Sequence, residues 1–287
     1  MTHLSAFTPD DLAELARVDV QKALSEDVGD GDLTAALVPA DRTASAKILA
    51  REPAVLCGKA WVEAAVSACD PSARLTWYVG EGDWCTADQV VVEIHGMARP
   101  LLTAERTALN FLQMLSGVAT QTARYVAAVK GTKAAIVDTR KTLPGLRLAQ
   151  KYAVKIGGGV NHRIGLYDAV LIKENHIAAA GGIAQVLKRV AETAPNAQFV
   201  EIEVETLDQL DEALACGAKM ILLDNMPVDQ LEAAVAKNAG RAVLEISGGV
   251  NESTVTRLAQ TGVDRISIGA LTKDVKAVDY SMRFVAM

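Results

Sequence analysis

The stretch AIVDTRKTLP, residues 135–144, contains the pattern that decides the fold: a short apolar run passes directly into a polar cluster. The same succession returns five more times, at AVLIKENH (169–176), FVEIEVE (199–205), MILLDN (220–225), AVLEISGG (242–249) and RISIGA (265–270). Near-continuous apolar runs are typical of strands covered on both faces. Polar groups at the C-terminal ends of such strands are typical of a (β/α) barrel active site. The pattern therefore predicts an enzyme.

Segments with helical spacing and many alanines separate the later apolar runs, at residues 183–194, 206–216, 228–238 and 252–261. Strands that alternate with helices predict βα units and a parallel sheet. We expect about six strands, fewer than the eight of a complete TIM barrel. Residues 152–157 are a candidate for a seventh strand. The expected fold of residues 113–273 is an incomplete (β/α) barrel with about six to seven parallel strands.

The first third of the chain has a different pattern, which predicts an N-terminal α+β sandwich domain over residues 1–112. Residues 9–26 have helical spacing and predict one helix. Alternating apolar residues predict strands of an antiparallel sheet, at residues 44–51, 73–79 and 89–95. Residues 103–130 predict two helices that are broken near Ser116-Gly117.

Composition and charge exclude several classes of protein. The chain has 287 residues and a net charge of −6, so a general surface for nucleic acid or anionic membrane is not expected. No apolar run reaches the ~18 residues of a membrane-spanning helix. The cysteines have no CxxC spacing, and the histidines have no zinc-ligand spacing. We therefore expect a cytoplasmic protein with reduced cysteines and no membrane or nucleic-acid partner.

Cations collect at or near the expected strand ends, namely Arg140, Lys141, Arg163 and Lys173, with His162 beside Arg163. Several cations at one barrel mouth in an acidic protein indicate an anionic ligand. Arginine suits carboxylate and phosphate because its fork binds two oxygens, and lysine supplies a point charge. The alternative is that each cation pairs with an acid at the barrel rim.

Two acids end successive strands, Glu203 and Asp224, so their carboxylates are expected to face each other across the mouth. Carboxylates beside phosphate ligands are typical of an Mg²⁺ site that is completed partly by water. Glu201 and Glu205 share the strand face of Glu203, so the pattern leaves open which of the three faces the ligand. Salt bridges to the cations of the mouth are the alternative to a metal.

Glycines end the last two expected strands, in Ser247-Gly248-Gly249 and in Gly269-Ala270. Loops after the final strands of (β/α) barrels commonly hold a phosphate with their N–H groups, and glycine permits the close approach. The alternative is that both are ordinary tight turns. Lys173 leaves a further alternative, because a lysine at a barrel strand end can form a Schiff base, as in an aldolase-like lyase.

The chain resembles the quinolinate phosphoribosyltransferase family, also named nicotinate-nucleotide pyrophosphorylase (carboxylating), nearly throughout and in order. The motifs that carry the resemblance are EDVGDGDLT (26–34), TAERTALNFLQMLSG (103–117), DTRKTLP (138–144), NHR (161–163), LIKENH (171–176), LDN (223–225), SGGV (247–250) and GALT (269–272). The resemblance implies transfer of phosphoribose from phosphoribosyl pyrophosphate (PRPP) to the nitrogen of quinolinate. Pyrophosphate and CO₂ then leave, and nicotinate mononucleotide is formed for NAD biosynthesis.

The resemblance also implies roles for individual residues. Quinolinate would be held by Arg106, Arg140, His162, Arg163 and Lys173. The diphosphate and Mg²⁺ would be served by Lys141, Glu203 and Asp224, which are the expected catalytic residues. The 5-phosphate of PRPP would be held by Ser247, Gly248, Gly249 and Gly269. One departure is Lys273 after GALT, where some family members have histidine, so the phosphate contact of that residue is a separate expectation.

Family members are homodimers in which the N-terminal domain covers the barrel of the partner, so Arg106 is expected to reach the partner's active site. The final strand of the family, here about residues 280–286, returns to the N-terminal domain, so the segment 274–287 is expected to join residues 1–112. Other hypotheses are a related phosphoribosyltransferase with another acidic heterocycle as acceptor, the Schiff-base lyase, and a catalytically silent barrel that binds phosphorylated ligands.

Overall fold

The structure is a computed structural model, and it describes residues 7–285. The helices are α1 (Pro9–Val28), α2 (Lys59–Cys69), α3 (Ala98–Ala128), α4 (Arg147–Ile156), α5 (Glu174–Ala180), α6 (Ile183–Thr193), α7 (Leu207–Ala215), α8 (Val228–Asn238), α9 (Val255–Gln260) and α10 (Ala270–Lys273). The strands are β1 (Thr43–Ala50), β2 (Ala54–Val55), β3 (Arg74–Trp77), β4 (Trp84–Cys85), β5 (Val90–Met97), β6 (Ala135–Val137), β7 (Val170–Ile172), β8 (Val200–Val204), β9 (Met220–Asp224), β10 (Val243–Ser247), β11 (Arg265–Ser267) and β12 (Tyr280–Val285). Within the described part of the chain, no helix is long and apolar enough to cross a membrane.

The chain divides into two compact units. The first unit consists of Met1–Ala123, Leu143–Gly158 and Asp274–Met287, and the second of Arg124–Thr142 and Gly159–Lys273. The C-terminal segment thus groups with the N-terminal part of the chain. In this division, most of α3 and the segment that contains α4 belong to the first unit.

An antiparallel sheet organises the first unit, with the strand order β12-β1-β5-β3. The central strand β1 pairs on both sides, so that Ile48 lies opposite Met282 on β12 and opposite Val92 on β5. Ile48 is completely buried, as is Trp61 on α2. This arrangement confirms the expected α+β character of the N-terminal part, and in it β12 pairs with β1.

The expected break near Ser116-Gly117 is wrong, because α3 continues through both residues to Ala128. The Ser116 hydroxyl is buried and donates to the carbonyl of Cys57, while it accepts the Cys57 N–H. A Cβ at Gly117 would collide with the main chain of Lys276. These two small residues therefore serve close packing rather than a helix end, and a helical pattern tolerates an isolated glycine that has such a reason.

The expected strand at 152–157 is also wrong, because most of this segment lies in α4. Six consecutive residues of α4 are buried, from Ala149 to Val154. The run Tyr152–Val154 resembles a buried strand when it is considered alone, because an apolar stretch this short does not distinguish a strand from a buried helix segment.

The second unit contains a six-stranded parallel sheet with the order β6-β11-β10-β9-β8-β7. The first of these six strands along the chain, β6, therefore neighbours the last, β11. The sheet has the order of a barrel that is open between β6 and β7. One parallel bridge, between Val137 and Val160, lies on the open side of β6. This confirms the expected incomplete barrel with six strands. Because all six strands are parallel, their C-terminal ends meet at one edge, which we call the mouth.

Candidate active site

The cations of the mouth lie after β6, after β7 and in the segment that joins these two strands. Arg140 and Lys141 come after β6, Arg163 lies in the loop that follows Val160, and Lys173 comes directly after β7. Burial lowers the pKa of the Arg163 guanidinium, and the positive charge of Arg140 lowers it further. Two guanidinium groups close enough to repel each other form a site that an anion would stabilise.

Buried carboxylates shape the loop that carries His162 and Arg163. Asp138 has no exposed surface; its oxygens accept the N–H of His162 at 2.8 Å and the side-chain amide of Asn161 at 2.7 Å. Asp168 accepts the N–H groups of Ile164 at 2.7 Å and of Gly165 at 2.9 Å. The guanidinium of Arg163 donates to the carbonyl of Ala169. The loop is therefore held in place by the chain itself before any ligand binds.

Beneath this loop, His162 contacts acids that lie inside the barrel. Its Nε2 lies 2.8 Å from Glu201 Oε2 and 3.6 Å from Glu245 Oε1. Arg265 donates from Nε to Glu245 Oε2 at 2.7 Å. Burial raises the pKa of the Glu201 carboxyl to about 7, and burial also raises the pKa of Glu245. Glu201, one of the three acids left open by the sequence, thus faces His162 rather than the mouth.

Glu203 and Asp224 lie nearer the mouth on the neighbouring strands β8 and β9. Burial raises the pKa of Glu203, which Lys173 opposes and the negative charge of Asp224 reinforces. The Lys173 ammonium lies 3.8 Å from Glu203 Oε2. A pocket of about 200 Å³ adjoins this cluster and is lined by Glu174, Ile177, Ala178, Glu203, Glu205 and Gln209. Carboxylate oxygens that repel one another are suitable ligands for a hard divalent cation, so the residues present fit Mg²⁺.

The glycines of the last two strand ends allow close approach of neighbouring groups. Gly248 has φ +98°, and a Cβ there would collide with the side chain of Asn225. A Cβ on Gly269 would lie 2.8 Å from Lys141 Cδ, so the stem of Lys141 passes over Gly269. Gly249 has φ +61° and open space beside it. Ser247 pairs in register with Asp224, which brings the expected phosphate loop beside the expected metal ligand.

Arg106 lies on α3 in the first unit and is exposed. In the part of the chain that the structure describes, its guanidinium forms no hydrogen bond or ion pair. Its charge acts on Glu105, whose pKa is raised by burial and lowered by Arg106. The other expected ligands, Arg140 and Arg163 among them, belong to the second unit.

Three buried acids of the second unit were not predicted as functional residues from the sequence, namely Asp138, Asp168 and Glu245, and the role of Glu201 was left open. Asp138 begins the polar cluster after β6, and Glu245 interrupts an otherwise apolar strand. An acid within a buried run is a usable signal, because buried carboxylates are rare unless they are paired. Asp168 gives no such signal, since its two main-chain donors depend on the path of the loop.

At one mouth the incomplete barrel gathers arginines, a carboxylate cluster and glycine turns, which is an arrangement suited to an enzyme with an anionic, phosphate-bearing substrate. Family models agree: quinolinate phosphoribosyl transferase, N-terminal domain, matches residues 32–116, and its C-terminal domain matches residues 118–283. The chain belongs to the quinolinate phosphoribosyltransferase family, whose members are pentosyltransferases.

Individual relatives are similar over nearly their whole length. The nicotinate-nucleotide pyrophosphorylase (carboxylating) of Mycobacterium leprae is 44% identical over 279 residues, which are 94% of this chain and 97% of that protein. The probable enzyme of the same name from Bacillus subtilis is 40% identical, over 90% of this chain and 89% of that protein. The solved nicotinate-nucleotide pyrophosphorylase of Francisella tularensis has a TM-score of 0.92 and 42% identity, and covers 95% of this chain and 97% of its own.

Proposed function

We propose that the protein transfers phosphoribose from PRPP to the ring nitrogen of quinolinate and releases pyrophosphate and CO₂, which gives nicotinate mononucleotide. The observation that carries this proposal is the presence of two interacting pairs after the strands of one barrel, the guanidiniums of Arg140 and Arg163 and the carboxylates of Glu203 and Asp224. The first pair suits a dicarboxylate, and the second suits a metal-bound diphosphate. The names of the relatives support the same activity. The relatives described above give no support to a Schiff-base lyase or to a silent barrel.

Quinolinate would lie against Arg140, Arg163 and Lys173. Arginine can bind each carboxylate through two oxygens, and Lys173, whose side chain is about half exposed, can add a third charge. Binding of the dianion would relieve the repulsion between the two guanidiniums. His162 would support this subsite from below, where it contacts the Arg163 loop.

PRPP would lie toward the later strands. Glu203 and Asp224 would hold Mg²⁺, partly through water, and the metal would neutralise charge on the diphosphate. Lys141 would contact the same diphosphate from its place above Gly269. The N–H groups of Gly248, Gly249 and Gly269, with the Ser247 hydroxyl, would hold the 5-phosphate. A phosphate contact of Lys273 remains a prediction.

The reaction requires little proton transfer at the first step, because the pyridine nitrogen is itself the nucleophile. The residues of the mouth would align this nitrogen with the anomeric carbon and stabilise charge on the departing diphosphate. When the 2-carboxylate then leaves as CO₂, its bonding electron pair stays on the ring carbon beside the positively charged nitrogen, and this carbon takes up a proton from water. Arg140 and Arg163 would hold the acceptor ring in place during both steps.

We further propose a cytoplasmic homodimer in which Arg106 completes the site of the partner subunit. Two observations support an additional subunit: Arg106 is exposed without a bonding partner among the described residues, and Leu33 and Leu37 are more than 80% exposed. These two leucines lie four residues apart, and adjoining exposed apolar side chains commonly mark a contact surface. The four cysteines are free, as is usual in a reducing compartment.

The test is an assay with purified protein, quinolinate, PRPP and Mg²⁺ that follows CO₂ and nicotinate mononucleotide. We expect turnover of quinolinate and at least ~10⁴-fold lower kcat/KM for nicotinate, because the site would leave charged groups unpaired without the second carboxylate. Arg163→Gln should lose most activity, whereas Arg189→Gln, an exposed arginine on α6, should not. Comparable turnover of the two acids would refute the assignment.

A further inference from the structure

Two carboxylates inside the barrel have no part in the proposed function. Glu201 on β8 and Glu245 on β10 have no exposed surface. Each has one oxygen, Oε1, without a hydrogen-bond partner among the described residues. Burying a carboxylate is costly unless its surroundings use it, so their position beneath the quinolinate subsite requires a reason.

The hydrogen bonds of His162 identify its tautomer. The N–H of Arg163 donates to His162 Nδ1 at 2.8 Å, so Nδ1 carries a lone pair and no proton. The remaining ring proton then lies on Nε2, and it points to Glu201 Oε2 at 2.8 Å. A neutral imidazole has one donor and one acceptor, and both are engaged within the chain.

The same geometry argues against two other roles for this ring. His162 is only 8% exposed and packs edge-on against Phe199, with ring centroids 5.2 Å apart. No ring nitrogen remains to bind quinolinate. A metal between His162, Glu201 and Glu245 would require the Nε2 lone pair, which carries the proton instead, and it would compete with the Arg265 guanidinium on Glu245.

We propose that Glu201 is a positioning residue, which holds His162 as the Nε2-protonated tautomer so that Nδ1 fixes the main chain of Arg163 for quinolinate recognition. The opposite tautomer would set an Nδ1 proton against the Arg163 N–H, and two donors would then face each other. Glu201 prevents this because its oxygen accepts the Nε2 proton. His162 therefore acts through Arg163 rather than on the substrate. This proposal rests on the proposed function for the identity of the ligand.

The tautomer is tested first, by NMR on the full-length protein labelled with ¹⁵N-histidine. Two-bond ¹H–¹⁵N correlations distinguish the two neutral tautomers, and the spectrum of His162→Gln identifies the signals of this residue. We expect the Nε2-protonated pattern in the wild type without any ligand. An Nδ1-protonated or doubly protonated ring would overturn the proposal. This result does not depend on any activity, so it is separate from a failure of the proposed function.

Substitutions then test the connection to Arg163. Glu201→Gln retains an acceptor and should keep the tautomer, with a quinolinate Kd within ~3-fold of the wild type. Glu201→Met removes the acceptor, so the tautomer signal should change and the quinolinate Kd should rise about 10-fold or more, the effect expected for a lost contact to a charged group. The PRPP KM should stay within ~2-fold, whereas a general structural defect would change both constants.

Glu245→Gln is the matched control, because this acid is equally buried but lies 3.6 Å from His162 Nε2 and is bonded to Arg265. It should preserve the tautomer and the quinolinate Kd. If Glu201→Met binds quinolinate like the wild type, or if Glu245→Gln changes the tautomer as much as Glu201→Met, Glu201 does not position this subsite. Should Glu201→Met fail to fold, the wild-type tautomer and the Glu201→Gln titration still decide the proposal.

Discussion

Replacing Gly269 by alanine should damage the use of PRPP while leaving the fold nearly intact. Gly269 does not have a positive φ, so an alanine main chain is permitted there. The added Cβ would lie 2.8 Å from Lys141 Cδ, which is well inside ordinary carbon contact. The Lys141 stem must therefore move by several tenths of an ångström. Because this side chain is exposed and flexible, the free energy of unfolding should change by less than ~1 kcal/mol.

The catalytic effect should be larger than the effect on stability. A group displaced by about 1 Å can lose ~100-fold in rate, and loss of a hydrogen bond to a charged group costs ~1.5–3 kcal/mol, or about 10–150-fold. We expect kcat/KM for PRPP to fall 10- to 100-fold in Gly269→Ala, measured by CO₂ release with quinolinate saturating. Thermal unfolding of the same variant provides the stability control.

A double-mutant cycle separates displacement of Lys141 from a direct block of the phosphate. If the alanine acts by moving Lys141, the double variant with Lys141→Ala should be no worse than Lys141→Ala alone, within ~3-fold. If the decreases in kcat/KM of the two single variants multiply in the double variant, the new methyl group obstructs the ligand instead. If Gly269→Ala has wild-type kinetics, the close contact between Gly269 and Lys141 has no role in the reaction.

Three further outcomes are expected. EDTA should abolish turnover, because the diphosphate would lose its metal. Asp224→Asn should raise the PRPP KM at least ~10-fold without changing quinolinate affinity, whereas the control Asp229→Asn on α8 should leave both constants unchanged. An unchanged PRPP KM in Asp224→Asn would mean that Asp224 has a structural role. Mixing inactive Arg106→Ala with inactive Lys173→Ala should restore about a quarter of wild-type activity if a two-fold dimer shares its sites and subunits exchange statistically; no recovery despite heterodimers would place Arg106 in its own chain. Hydrogen bonds from Ser72 and Met97 lower the pKa of Asp70 in the folded protein. The ionised carboxylate therefore stabilises the folded state at pH values above the pKa of Asp70 in the unfolded chain, and this stabilisation is lost as the pH falls through its pKa in the folded protein. Asp70→Asn should therefore lower Tm at pH 7 and converge with the wild type in acid, and a Tm gap that persists below both pKa values would contradict this.

The two wrong secondary-structure predictions have a common cause. Ser116-Gly117 was expected to break a helix, and residues 152–157 were expected to form a strand, yet both segments are helical. Both predictions were made from a few residues considered alone, and neither a single glycine nor a short apolar run distinguishes the interior of a helix from a helix end or a strand. Gly117 is small because another segment of the chain approaches it closely, which a local pattern does not reveal.

Other features followed from the sequence alone, because they depend on periodicity and on position relative to strand ends. Six apolar runs predicted six parallel strands, and parallel strands necessarily bring their C-terminal ends to one edge. The neighbourhood of Arg140, Lys173, Glu203 and Asp224 was therefore predictable without a structure. The motifs gave the family for the same reason, since residues that serve one mouth recur at fixed places along the chain.

Only the tertiary structure decided which of the three acids of β8 and its C-terminal end faces His162 and which lies near the mouth. Glu201, Glu203 and Glu205 share one face of a strand, and period two does not distinguish among them. Their depth does: Glu201 lies inside the barrel against His162, Glu203 lies nearer the mouth, and Glu205 is exposed. The loop after β6 places His162 against Glu201, whereas Glu205 is exposed. The position of this loop is set by hydrogen bonds that Asp138 accepts from Asn161 and His162, more than twenty positions away, which no local pattern contains.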